Sequence, residues 1–125
     1  MAEGFARHLG KGVIEPYSAG LLAAGIHQNA AAVMKEIGID ISRQKSELID
    51  EDLLKKMDTI ITLCDNAEES CPWTPPRIQR HHWPIKDPVG FIGSKEETLN
   101  DFRRARDEIK KKIKDFIEGL KAGKD

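Results

Sequence analysis

The stretch TLCDNAEESCP carries both cysteines of the chain, Cys64 and Cys71, seven positions apart. A thiolate is a nucleophile, a metal ligand and a redox partner, so this pair defines the chemistry to be weighed. A CxxC redox pair and the usual zinc pairs need closer spacing. His81 and His82 would bring a zinc set to four, but a six-residue gap between the cysteines is not a usual ligand spacing. A helix over 64–71 would place both thiols on one face, about 10 Å apart along its axis. A disulfide needs Cα atoms within roughly 7 Å. The helix must therefore break before the bond can form, and Pro72 with the polar DNAEES insert lowers the cost of that break. Such a segment works as a redox switch, helical when reduced and looped when oxidised. The plainer alternative is two unrelated cysteines, one closing a buried strand and one in a loop, since a free cysteine is often simply buried.

Other polar residues are candidates with equally plain alternatives. Asp87 precedes Pro88, which pushes it toward an extended backbone and restricts where its carboxyl points. That suits a general acid on a loop, and it also suits a turn initiator. His81, His82 and Trp83 can bind a ligand, or they can finish a strand with one ring buried and one exposed. Ser18, in YSAG, can hold an ion or serve as a turn residue.

The elements that must position these groups follow from apolar spacing. MAEGFARHLGKG places Phe5 and Leu9 on one helical face and stops at glycine. VIEPYSAG predicts a strand, at a sheet edge because Pro16 cannot donate to a ladder. NAAAVMKEIGID sets Ala30, Val33, Met34 and Ile37 on one stripe and ends at Gly38, a second helix. Asp50 can cap a third, EDLLKKM. DTIITLC is a β-branched run suited to a strand covered on both faces, as in a parallel sheet. RHHWPI predicts a short strand closed by Pro84. Leu99, Phe102, Ile109, Ile113, Phe116, Ile117 and Leu120 define a long amphipathic helix. Strands alternating with helices imply α/β layers, with sites at the carboxyl ends of strands. Cys64 sits just past such an end.

The chain has 125 residues, one domain by length. Its 20 basic residues are balanced by 21 acidic ones, for a net charge of −1. That balance argues against a nucleic-acid or membrane-surface binder. No apolar run approaches a membrane span, and the first residues carry no secretion signal. With two cysteines, the expected compartment is the reducing cytoplasm.

Taken together, the ordered segments MAEGFARHLG, YSAG, MKEIGIDIS, LID.D.L, TLC......CP.TPP, HW, DP and RRARDEI identify a resemblance. The chain resembles the thioredoxin-coupled arsenate reductases, which share the low-molecular-weight protein tyrosine phosphatase fold. The resemblance runs in register from residue 1 to about the end of the last helix. It implies a three-layer α/β domain with a parallel sheet flanked by helices. It also implies arsenate reduction to arsenite for arsenic detoxification, by a three-cysteine disulfide relay regenerated by thioredoxin. Cys64 matches the second relay cysteine, Cys71 the third, and Asp87 the general acid. Glu3, Ser18 and Glu47 match ligands of a potassium ion that some members bind. A low-molecular-weight tyrosine phosphatase is an alternative, although it has no use for the cysteine pair. A non-catalytic dithiol module that binds thioredoxin is another.

In that family a buried strand and a CxxNxxRS-type loop directly precede the MAEG helix. This sequence opens at that helix. The expectation is therefore a domain over 1–125 that lacks the central first strand, the nucleophilic cysteine and the anion-binding loop. Without loop amides and a helix N-terminus aimed at the oxyanion, it is expected to be inactive toward arsenate alone. An incomplete sheet leaves a hydrophobic edge unpaired, which predicts pairing with a second copy.

Overall fold

The computed structural model describes residues 1–19, 26–44, 48–63, 74–86, 88 and 92–122. Along the chain run α1 (Ala2–Leu9), α2 (Gln28–Lys35), α3 (Glu51–Leu54), β1 (Thr59–Thr62), β2 (Gln79–His82) and α4 (Lys95–Ala122). Helices α1 and α2 both pack on α4. The core between them holds Phe5, Val33, Met34, Ile41 and Phe102, all essentially without solvent contact. On α4 the buried residues are Phe102, Ala105, Ile109, Ile113 and Ile117, a single stripe at helical spacing.

The helix boundaries have local causes. His27 caps α2, its Nδ1 accepting the Asn29 N–H at 3.1 Å while its ring stacks on Phe102 at 4.8 Å. Helix α2 gives way to a turn that ends at Gly38, whose φ of 82° favours glycine. The Ile39 N–H then returns to the Met34 carbonyl at 3.0 Å. Asp50 caps α3 through the Asp52 N–H at 2.9 Å, as its sequence position predicts. Helix α4 starts four residues before Leu99, because Ser94 and Glu97 form a reciprocal capping box. That S-x-x-E signal is present in the sequence and extends the helix beyond the apolar stripe.

Strands β1 and β2 pair in parallel, Thr59 opposite Gln79 through Thr62 opposite His82. Parallel pairing agrees with the composition of DTIITLC. Only one face of β1 is fully buried, however: Ile60 and Thr62 are covered, while Thr59 and Ile61 are half-buried. The strand expected over VIEPYSAG is absent from its described residues, so the described sheet has two strands. The first two backbone donors of that segment are engaged locally. The Val13 and Ile14 N–H groups both reach the Gly10 carbonyl at 2.9 Å. Pro16 has no N–H, and its carbonyl accepts from Arg7 at 3.2 Å. Among the described residues, no helix is long and apolar enough to cross a membrane.

Candidate functional site

Two regions carry the candidate residues. The first is the carboxyl end of the sheet. Past the strand ends the ladder continues, with the Trp83 N–H on the Thr62 carbonyl at 2.9 Å and the Ile85 N–H on the Leu63 carbonyl at 3.1 Å. Cys64 is the next residue after Leu63, and Asp87 lies two residues beyond Ile85. Cys64, Cys71 and Asp87 themselves lie outside the described residues. What the fold brings together is the pair of chain segments that lead to them. This is the carboxyl edge of a parallel sheet, where open α/β sheets place their chemistry.

The segment leading to Asp87 is held from its other side by α4. The Arg104 Nη2 donates to the Lys86 carbonyl at 2.8 Å. The guanidinium is itself held by Asp101 at 2.9 Å and by Glu108 at 2.9 Å. A planar fork with three fixed acceptors has little freedom to drift. The same contact, through Arg104, holds the Asp101 carboxyl below the usual carboxylate range. No sequence spacing pointed to Arg104, because its link to Lys86 spans 18 positions.

The two histidines divide between neighbours. His81 meets Phe116 of α4 and Trp83, with ring centroids at 6.0 and 6.4 Å. The His82 Nδ1 lies 2.9 Å from the Thr62 Oγ1. Both rings are half-buried, so neither the fully buried nor the fully exposed partner expected of the pair is present.

The second region is a cleft of about 480 Å³ beside α1, lined in part by Glu3, Arg7, Ser18, Asp40 and Arg43. It brings together two of the three residues matched to cation ligands: the Ser18 hydroxyl donates to the Glu3 Oε1 at 2.8 Å. The Glu3 side chain is only 15 % exposed. Glu47, the third, lies outside the described residues. A carboxylate and a hydroxyl are hard oxygen donors and fit an alkali or alkaline-earth cation. Arg7, a helical turn further along α1 at 3.7 Å from the Glu3 Oε2, already supplies part of the compensating charge. That i, i+4 spacing is visible in the sequence itself. Among the described residues, no three His, Cys, Asp or Glu side chains converge as a metal site. At the cleft wall the Ser42 hydroxyl and backbone N–H hold the Asp40 carboxyl below its usual range.

Comparison with known proteins places this arrangement. The profile of the family described as low molecular weight phosphotyrosine protein phosphatase matches residues 1–125. The arsenate reductase of Bacillus subtilis (strain 168) is 46% identical over 118 residues, 94% of this chain and 85% of that protein. The arsenate reductase of Shouchella clausii (strain KSM-K16) is 48% identical over the same shares. Among solved structures, an arsenate reductase in the oxidized state superposes with a TM-score of 0.77 at 33% identity, covering 95% of this chain and 86% of that one. Another, in the phosphate binding state, gives 0.75 at 34% identity, with 95% and 86% covered. Sequence, sheet and helix order therefore agree that the chain belongs to the low molecular weight phosphotyrosine protein phosphatase family, on the fold that these arsenate reductases share.

Proposed function

We infer that the chain serves arsenate reduction, with Cys64 and Cys71 as the second and third thiols of a disulfide relay. The observation that supports this most is the 46% identity to an arsenate reductase over 94% of the chain. Reducing As(V) to As(III) takes two electrons, which two thiols supply by becoming a disulfide. In this reading a first cysteine carries arsenic as a thiol adduct. The Cys64 thiolate attacks that cysteine's sulfur, the S–S bond forms, the S–As bond breaks, and arsenite leaves with the electron pair. The Cys71 thiolate then attacks Cys64 and releases the first cysteine as thiolate. Thioredoxin reduces the resulting Cys64–Cys71 disulfide. Asp87 is the general acid. The relay needs three thiols and the sequence holds two, so in this reading the first thiol is neither Cys64 nor Cys71. Residues 1–125 alone then do not turn arsenate over. Glu3, Ser18 and Glu47 would hold a potassium ion, which would neutralise the Glu3 carboxylate and tie α1 to the segment around Ser18.

The test is made on the oxidised chain. Mass mapping is expected to find a Cys64–Cys71 disulfide, and reduced thioredoxin is expected to open it far faster than glutathione at equal thiol. A pair that does not form, or that thioredoxin reduces no faster than glutathione, would sink the relay. Phosphotyrosine hydrolysis, the activity after which the matching family is described, is the second reading. It has no role for the pair.

A further inference from the structure

Among the described residues, α2, α3 and α4 each begin on a side-chain cap, and one of those caps can be switched off by a proton near neutrality. At α3 the acceptor is the Asp50 carboxylate, and at α4 it is the Ser94 hydroxyl. A hydroxyl does not titrate, and a carboxylate goes on accepting until well below neutral pH. At α2 the acceptor is the His27 Nδ1, 3.1 Å from the Asn29 nitrogen. The His27 backbone is extended, with φ −66° and ψ 134°, as a capping residue requires. A backbone N–H only donates, so Nδ1 must offer its lone pair and the ring proton must sit on Nε2. A second proton turns Nδ1 into a donor that faces the Asn29 N–H. It also sets a positive charge at the start of α2, where the helix dipole disfavours one.

The surroundings do not offset that charge. The first turn of α2 holds no acidic residue. The stretch before it, SAGLLAAGI over 18–26, brings no titratable side chain. On α4 the ring stacks on Phe102 with the two planes 29° apart. The charged residues one and four positions from Phe102 are Asp101, Arg103 and Arg106. All three are engaged, Asp101 by Arg104, and Arg103 and Arg106 by Glu36. The Phe102 face attracts an imidazolium, but His27 is exposed, and there such an attraction is weaker than the cap and the dipole together. An asparagine would supply the same acceptor without the ring and without the proton sensitivity.

We propose that His27 makes the start of α2 a proton-operated latch: the neutral imidazole closes the first turn on Asn29, and protonation opens it. The inference goes beyond the arsenate reading and does not depend on it. The sign follows from linkage. On acidification the unfolded chain takes up a proton on His27 freely, and the folded chain takes it up only by giving up the cap. Stability therefore falls as pH drops through about 6.5, where a free imidazole titrates.

The whole chain serves for both parts of the test. Long-range proton–nitrogen NMR correlation at about pH 8 is expected to show His27 with its proton on Nε2; a proton on Nδ1 would overturn the proposal. Thermal unfolding is then compared at about pH 8 and about pH 5.5 in wild type, His27→Asn and His27→Ala. His8, His81 and His82 titrate in the same window, so the differences between variants carry the result. His27→Asn keeps a cap that no proton removes, and its Tm is expected to gain about 3 °C on wild type between the two pH values. His27→Ala, with no acceptor, is expected to lie below wild type at the higher pH, with the gap narrowing by about the same amount at the lower one. If both differences keep their size across that range, the cap is indifferent to the proton and the latch is refuted.

Discussion

Gly4 offers a sharp test of how α1 is held. It sits inside a helix, where alanine would normally be better by about 1 kcal/mol. A Cβ there would stand 2.8 Å from the Ile41 Cγ2, 3.3 Å from the Met34 Cε and 3.4 Å from the Gln44 Nε2. The last two atoms end flexible side chains and can move aside. The Ile41 methyl cannot, because it hangs on a β-branched carbon with a stiff χ1 and the residue is 1% exposed. Helix α1 must then lift away from the segment around Ile41, and overpacking of this kind costs about 1–3 kcal/mol. The clash therefore outweighs the propensity gain. Gly4→Ala is expected to lose about 1 kcal/mol net, a fall of about 3–5 °C in Tm for a chain of this size. Gly119 supplies the internal control, since nothing lies within 4 Å of a Cβ built there. Gly119→Ala, on α4, should gain about 0.5–1 kcal/mol. Ile41→Ala alone should cost about 2–5 kcal/mol. In that background Gly4→Ala should become stabilising, because the clashing methyl is gone and the new one fills part of the cavity. Thermal unfolding followed by far-ultraviolet circular dichroism reads all four variants. The reasoning is refuted if Gly4→Ala raises Tm as Gly119→Ala does, or if its sign does not change in Ile41→Ala.

Two further predictions concern the ends and seams of the helices. Ser94→Ala removes one arm of the capping box on α4 and is expected to cost about 1 kcal/mol, read as a lower urea midpoint with unchanged slope; an unmoved midpoint would contradict it. The Arg103 hydrogen bonds hold Glu36 below its usual range, with Arg106 adding a smaller contribution. A depressed carboxylate stabilises the fold above its unfolded value of about 4.3 and stops doing so as pH falls through the folded value. Tm should therefore decline below about pH 5 in the wild type, and less steeply in Glu36→Gln; parallel curves would show that this cluster contributes nothing to acid sensitivity.

The cluster also explains a seam that sequence spacing could not show. Arg106 donates to the Val33 carbonyl at 3.0 Å and to the Glu36 carboxylate at 2.9 Å. It thereby places a cation at the carboxyl end of α2, where the helix dipole favours one. In the sequence Arg103 and Arg106 are two of many charges on a long helix. Only the packing of α2 on α4 reveals that they face a specific acceptor.

The sequence alone determined the helices whose apolar residues repeat at helical spacing, because burying such a stripe is a local pattern with one solution. It also determined the parallel strand through Thr59–Thr62, the Asp50 cap, and the family, since an ordered set of motifs is far more specific than any one of them. Tertiary structure decided the rest. Whether Val13–Ser18 pairs as a strand depends on where its backbone groups go: the Val13 and Ile14 N–H groups go to the Gly10 carbonyl, and the Pro16 carbonyl accepts from Arg7. That His82 meets Thr62 while His81 meets α4 depends on strand register, which residue type does not encode. That Glu3 and Ser18 share a hydrogen bond across 15 positions, and that Arg104 grips Lys86, are contacts between elements. They exist only once the core around Phe5 and Phe102 has set the helices and strands in place.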